Sequence, residues 1–180
     1  MIDYFKEALS LAFDRNQQCR CIGYRPVAVC AFRNLGTNEL LVVQPAIRPD
    51  LWALPQEGIE LQENTETASI RCADEELGVQ TNKLNYRYSK WIGLVKFPKE
   101  RAGERDLRFS VRGMVGKAYI LSVINCADDV SIELNRAENT DYRWVNMNKL
   151  KQSFVGNSAE KLRVLSRCVE HLESEEKKMV

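Results

Sequence analysis

Apolar residues recur along this chain with two periods, one helical and one strand-like. Ile2, Phe5, Leu9 and Phe13 stand at helical spacing, which predicts a short amphipathic helix over residues 2 to 14. The run RPVAVCAFR from Arg25 to Arg33 is almost unbroken in its apolarity and predicts a buried strand. ELLVVQ, Glu39 to Gln44, reads as its hairpin partner across the turn Asn34-Leu35-Gly36-Thr37-Asn38. After a loop with Pro45 and Pro49, WALPQEG leads into a helix from Thr65 to Leu77. Asn64 is suited to its N-cap, and Gly78 to its stop. Strands are predicted at 86–97, 107–112, 117–125 and, as a short edge, Asp141 to Val145. Leu162, Leu165, Val169 and Leu172 make one stripe of a C-terminal helix over Ser158 to Leu172. The polar end of the chain, residues 175–180, is expected to be disordered.

Strands first, then a helix, then strands and a helix again, predict an α/β (α+β) fold: a mixed sheet with helices on its faces. The expected division is an N-terminal helical extension at 1–22, one domain at 23–174 and the tail. The extension either packs on its own domain or serves as a dimer contact, so monomer and homodimer both stay open.

The chain has 180 residues and a net charge of +1. That size suits one domain, and that charge leaves any nucleic-acid affinity to a local patch. The six cysteines, Cys19, Cys21, Cys30, Cys72, Cys126 and Cys168, include no CxxC pair. Cys30 and Cys126 lie in apolar runs, as core residues do. The N-terminus lacks a basic region followed by an apolar core, and no stretch approaches the ~18 consecutive apolar residues of a membrane span. A cytoplasmic protein without a membrane partner is expected.

The chemistry concentrates between Leu54 and Val79, LPQEGIELQENTETASIRCADEELGV. Cys72, Glu75 and Glu76 fall three and four residues apart and are expected on one side of the helix. Two glutamates there make an oxygen-rich surface for a hard cation, which keeps waters and substrate phosphates in its remaining positions. Arg71, one turn before Glu75, can pin its carboxylate. Taken alone, Asp74-Glu75-Glu76 also reads as a solvated charge run.

The longer register resembles the Nudix box, G-x5-E-x7-R-E-U-x-E-E-x-G-U, where U is aliphatic. Glu63, Arg71, Glu75, Glu76, Gly78 and Val79 match it in position. GYRP before the first strand, WALPQEG before the box and YRWV near the end are similar to bacterial RNA 5′-pyrophosphohydrolases and dinucleoside polyphosphate hydrolases. The resemblance implies an α/β/α sandwich that hydrolyses a phosphoanhydride bond of a nucleotide, a polyphosphate or an RNA 5′ end. It implies Mg2+ or Mn2+ on Glu75 and Glu76, with Glu138 in RAENTDYRWV as a further ligand. It makes Arg25 a phosphate neighbour and Glu63 and Arg71 braces of the catalytic loop-helix-loop. Two positions depart from the signature. Cys72 stands where a glutamate ligand is normal, and a thiol is a soft ligand, poorly matched to Mg2+. Glu57 replaces the first glycine and is expected to offer a metal its backbone carbonyl. A Nudix-fold protein that binds nucleotides or RNA ends with little or no turnover is the alternative.

From Arg87 to Lys117 there are nine Lys or Arg and three acids, with Trp91, Phe97 and Phe109 interspersed. Such a segment suits a polyphosphate or a single-stranded RNA end, with Lys90 and Lys117 as candidate contacts. It also suits a solvated hairpin. His171, the only histidine, is assigned no role.

Overall fold

A computed structural model describes residues 15–96, 104–106, 111–154 and 156–179. The helix expected at 2–14 lies outside the described residues, and so does most of the segment expected as a strand at 107–112. The described chain starts with α1 (Arg15–Cys21), then β1 (Tyr24–Asn34), β2 (Glu39–Pro45) and β3 (Gln56–Gly58). Next come α2 (Thr65–Leu77), a 3-10 turn at Thr81–Lys83, β4 (Leu84–Lys96), β5 (Glu104–Asp106), β6 (Val111–Met114) and β7 (Gly116–Cys126). β8 (Asn139–Asn146), α3 (Met147–Ser153) and α4 (Ala159–Met179) complete it.

The main sheet runs β4-β7-β1-β2-β8, with β3 added to β1. β1 and β7 are parallel and the other pairs antiparallel, so the sheet is mixed as predicted. Alternation along β1 sends Val27, Val29 and Ala31 to one face and Ala28, Cys30 and Phe32 to the other. The first face is covered by α3 and α4 through Leu150, Phe154, Leu165, Cys168 and Val169. The second is covered by α2 through Ala68, Cys72, Ala73 and Leu77. Both faces of β1 are therefore buried, which explains why its sequence reads as a continuous apolar run.

α4 continues to Met179. The helix thus takes in residues 175–179 of the tail expected to be disordered: Arg33 Nη2 bonds Glu176 Oε1 at 2.8 Å, and Glu175 pairs with Lys178 one turn on. Those polar side chains hold the last turns to the end of β1 and to each other.

Candidate active site

The helix that carries the box is fixed at both ends. Asn64 Oδ1 accepts from the Thr67 backbone N–H at 2.8 Å. At the other end Gly78 is left-handed, with φ 61°, and Val79 N–H returns to Ala73 O at 2.9 Å. A Cβ on Gly78 would fall 2.7 Å from Glu133 O, so glycine is required both by conformation and by the close approach of the 133–139 loop. That loop is tied to the helix end, since Glu133 N–H and Asn135 N–H donate to Leu77 O and Glu76 O.

Arg71 is the centre of the brace. Nε and Nη2 donate to the two oxygens of Glu63, each at 2.9 Å, and Nη2 also reaches Gly58 O at 2.8 Å. Nη1 lies 3.2 Å from Glu57 Oε1 and 3.5 Å from Glu75 Oε2. The bonds donated to Glu63 are the main reason the guanidinium is held charged far above its ordinary range. Glu63 closes the loop by accepting from Glu60 N–H at 2.8 Å. Arg20 of α1 grips the same loop from outside: its buried guanidinium donates to Ile59 O and Glu60 O, each at 2.6 Å. Nothing in the sequence marked Arg20, because this contact joins residues 39 and 40 positions apart.

Beside the brace lies a cleft of about 240 Å³. Glu76 and Glu138 line it with Asn139, and Arg25, Lys117 and Lys161 line it as cations. Asn139 Nδ2 donates to Glu76 Oε2 at 2.9 Å. Burial raises the Glu76 carboxyl to about 7, although the bonds from Asn139 and Cys72 oppose the shift. The charges of Glu57 and Glu138 push the same way as burial. Burial also lowers Lys161, which sequence reasoning passed over because it lies on the flank of the α4 stripe. Ile47, 90% exposed, stands at the rim.

The expected cluster of Cys72, Glu75 and Glu76 is therefore divided. Glu76 and Glu138 line the same cleft. Glu75, 54% exposed in its side chain, turns to Arg71 and does not line the cleft. Cys72 is fully buried among Ala28, Cys30 and Ala73. Its thiol is held well above the usual range, first by a hydrogen bond with Cys30 and then by burial, so it is unfit to ligate as a thiolate. Glu57 also differs from expectation. Its main chain joins the ladder opposite Ala28, and its carboxylate accepts from Gly58 N–H at 2.8 Å beside Arg71. Arg25 and Lys117 reach the cleft, whereas Lys90 does not. Lys90 stands on the α4 side of the sheet, where its charge acts on His171 and Glu175. His171 packs edge-on against Tyr88, with ring centres 5.7 Å apart, a packing role.

The donors suit a hard cation. Among the described residues no group of three His, Cys, Asp or Glu side chains is gathered to hold one. Two carboxylates on one cleft, Glu76 and Glu138, match the way Mg2+ is held: one or two carboxylates, with waters and substrate phosphates completing the shell.

A mixed sheet between helices, with an arginine-braced loop-helix-loop beside a cleft of carboxylates and cations, defines a Nudix fold. The family model of the NUDIX domain matches residues 24–165, and the chain belongs to that family. It is 27% identical over 113 residues to an RNA pyrophosphohydrolase of Rhodospirillum rubrum, covering 63% of this chain and 67% of that one. It is 29% identical over 126 residues to Nudix hydrolase 25 of Arabidopsis thaliana, covering 68% and 71%. A crystal structure of a C. elegans Ap4A hydrolase binary complex superposes with a TM-score of 0.56 at 14% identity, covering 83% of this chain and 98% of that one. No described helix is long and apolar enough to cross a membrane.

Proposed function

We propose that this protein is a pyrophosphohydrolase that uses Mg2+ or Mn2+ to cleave a phosphoanhydride bond of a nucleoside or dinucleoside polyphosphate, or of a 5′-triphosphorylated RNA end. The observation that carries the reading is the cleft itself, with Glu76 and Glu138 facing Arg25 and Lys117. Phosphates repel an incoming water, and cations on both sides of the chain remove that repulsion. Glu76 and Glu138 would hold the ion, which supplies charge neutralisation at the phosphate under attack. Arg25 and Lys117 draw the remaining phosphates into line, and Asn139 orients the Glu76 carboxylate. Arg71 and Glu63 act at one remove, by fixing the loop that carries these groups. Both are positioning residues. The curated relatives named RNA pyrophosphohydrolase support an RNA end as substrate. The cytoplasm is the proposed compartment, since the sequence offers six cysteines and no disulfide framework.

One observation favours the second reading, a binder of nucleotides or RNA ends with little turnover. Cys72 and Glu75 are withdrawn from the cleft, which leaves it with the carboxylates of Glu76 and Glu138. The two readings separate when purified protein is incubated with diadenosine tetraphosphate, nucleoside triphosphates and triphosphorylated RNA, in Mg2+ and in Mn2+. Products are resolved by anion-exchange chromatography and substrate binding is measured alongside. Release that disappears in Glu76→Gln supports the enzyme. Binding without release in either metal replaces it with the binder, and neither binding nor release refutes both.

A further inference from the structure

A second cavity lies at the other end of the sheet from the cleft. β1 connects them: Val27 lines the cleft, and Arg33, near the end of the strand, lines the cavity. α4 passes over both, with Lys161 at the cleft and Leu172 and Glu175 at the cavity. At about 1.5 Å per residue, the helix between Lys161 and Glu175 spans about 21 Å, so the two spaces are distinct. The cavity measures about 240 Å³. Leu40, Val123, Met147 and Leu172 give it apolar walls, Tyr88 an aromatic one and Asn125 an amide. An irregularity of β4 shapes it. Tyr86 packs on the α2 side of the sheet and Tyr88 on the α4 side, although residues two apart share a face in a regular strand. Tyr86 pairs with Ile124 and Tyr88 with Val123, so Arg87 is an extra residue in the ladder, a β-bulge. The bulge lets Arg87 line the cavity beside Tyr88, exposed at its mouth. The other charged groups of the wall are committed, Arg33 to Glu176 at 2.8 Å and Glu175 to Lys178. No carboxylate among the described residues pairs with Arg87.

We propose that this cavity binds a small aromatic monocarboxylate, with its ring against Tyr88 and Met147 and its acid group on Arg87. A tyrosine ring and a thioether both favour an aromatic body over an alkyl chain. A guanidinium offers parallel N–H donors that fit the two oxygens of a carboxylate. One uncommitted cation balances one negative charge, which separates this ligand from the multiply charged substrates proposed for the cleft. The volume equals that of about eight molecules of liquid water. It is below the roughly 300 Å³ at which pockets for drug-sized ligands begin, so a single ring with a short acidic arm fits and a nucleotide does not. The inference stands apart from the hydrolase reading, because it uses neither the cleft nor turnover.

Titration of the full chain with cinnamate, and with cinnamamide as its uncharged counterpart, tests it by ligand-observed NMR. The expected result is that cinnamate binds the parent, about 5- to 20-fold more weakly in Arg87→Ala, with part of the loss recovered in Arg87→Lys. Cinnamamide is expected to bind more weakly than cinnamate, and equally to the parent and to Arg87→Ala. Arg87 is exposed, so Arg87→Ala should melt with the parent and report on binding alone. Glu76→Gln, a change in the cleft, should leave cinnamate affinity as it is. No binding of cinnamate by the parent overturns the proposal, and so does an affinity unaltered in Arg87→Ala. Equal affinity for acid and amide overturns it too, since the carboxylate would then have no cation. A loss of cinnamate binding in Glu76→Gln would put the ligand in the cleft and overturn it as well. The hydrolase reading is judged separately, by product release.

Discussion

Substituting glutamate for Cys72 restores the Nudix signature on paper, and the structure predicts that it injures the protein instead. The thiol is fully buried between Cys30 and the sheet-facing side of α2, next to the Glu76 carboxylate. A glutamate there adds heavy atoms to a packed core, at about 1–3 kcal/mol. It also buries a carboxyl group beside Glu76 and Glu57, whose charges already act on position 72. Left without full hydrogen bonding, that carboxyl costs about 1–3 kcal/mol more even when protonated. The total of roughly 2–6 kcal/mol lowers the melting temperature of a domain this size by about 5–20 °C. Thermal unfolding of Cys72→Glu in EDTA, followed by circular dichroism, measures it. A variant as stable as its parent without metal would show that side chain 72 reaches the cleft, and the placement of Cys72 in the core would be wrong.

Arg71→Gln is expected to cost about 3–5 kcal/mol in chemical denaturation, because Glu63 and Glu57 keep little exposure and lose their common cation; a loss under about 1 kcal/mol would reduce the brace to a surface pair. Arg20→Ala is expected to lower kcat with a smaller change in KM and to raise the Mn2+ concentration needed for half-maximal rate, both read from steady-state kinetics; Arg20→Lys should recover part of each, and a variant that loses stability alone makes the contact with Ile59 and Glu60 structural only. Glu76 sets a pH dependence in EDTA. Its carboxyl is raised from 4.5 to about 7 on folding, so the native state binds the proton more tightly, and stability is full below about 4.5 and falls by on the order of 3 kcal/mol as pH rises through about 7. Melting temperatures from about pH 5 to pH 8 should decline in the parent and decline less in Glu76→Gln, and parallel curves would remove Glu76 as the cause.

Much of this was legible in the sequence where the pattern is local. The helix Thr65–Leu77 occupies the predicted range because its cap, its apolar spacing and its terminal glycine all lie within a few residues. The strands β1 and β7 were legible as apolar runs, and the box register located Arg71 and Glu63. Short elements were not legible. β3 has three residues and exists because Gln56, Glu57 and Gly58 find β1 as a partner, which no local pattern encodes. α3 follows β8 without a break, and Asn146, its cap, sits at the end of a strand. The cations of the cleft come from β1, β7 and α4, and Lys161 and Gln56 reach it only when the sheet brings those elements together. Lys90 shows the converse: it belongs to a basic stretch along the chain, and the strand carries it to the α4 side.

The division of the box carboxylates follows from helix geometry. Residues four apart lie nearly above one another, whereas neighbours in sequence are rotated by roughly 100°. Arg71 and Glu75 therefore form one stripe, and Cys72 and Glu76 the next. The first stripe faces the loop at Gly58 and Glu63, where one guanidinium serves Glu57, Glu63 and Glu75 together. The second stripe begins in the core at Cys72 and emerges one turn later, at Glu76, into the cleft. Charge follows the same division. The carboxylates on the arginine stripe already have their cation. Glu76 and Glu138 lie on the cleft instead, and burial, with the charges of Glu57 and Glu138, raises the carboxyl of Glu76. Under the proposed function, a divalent ion would sit at the glutamate that ends the second stripe, which lines the cleft, and not at the one that ends the first, which Arg71 already holds. The two adjacent glutamates of the box are in this way unequal: Glu75 completes a brace, and Glu76 is the one that reaches the cleft.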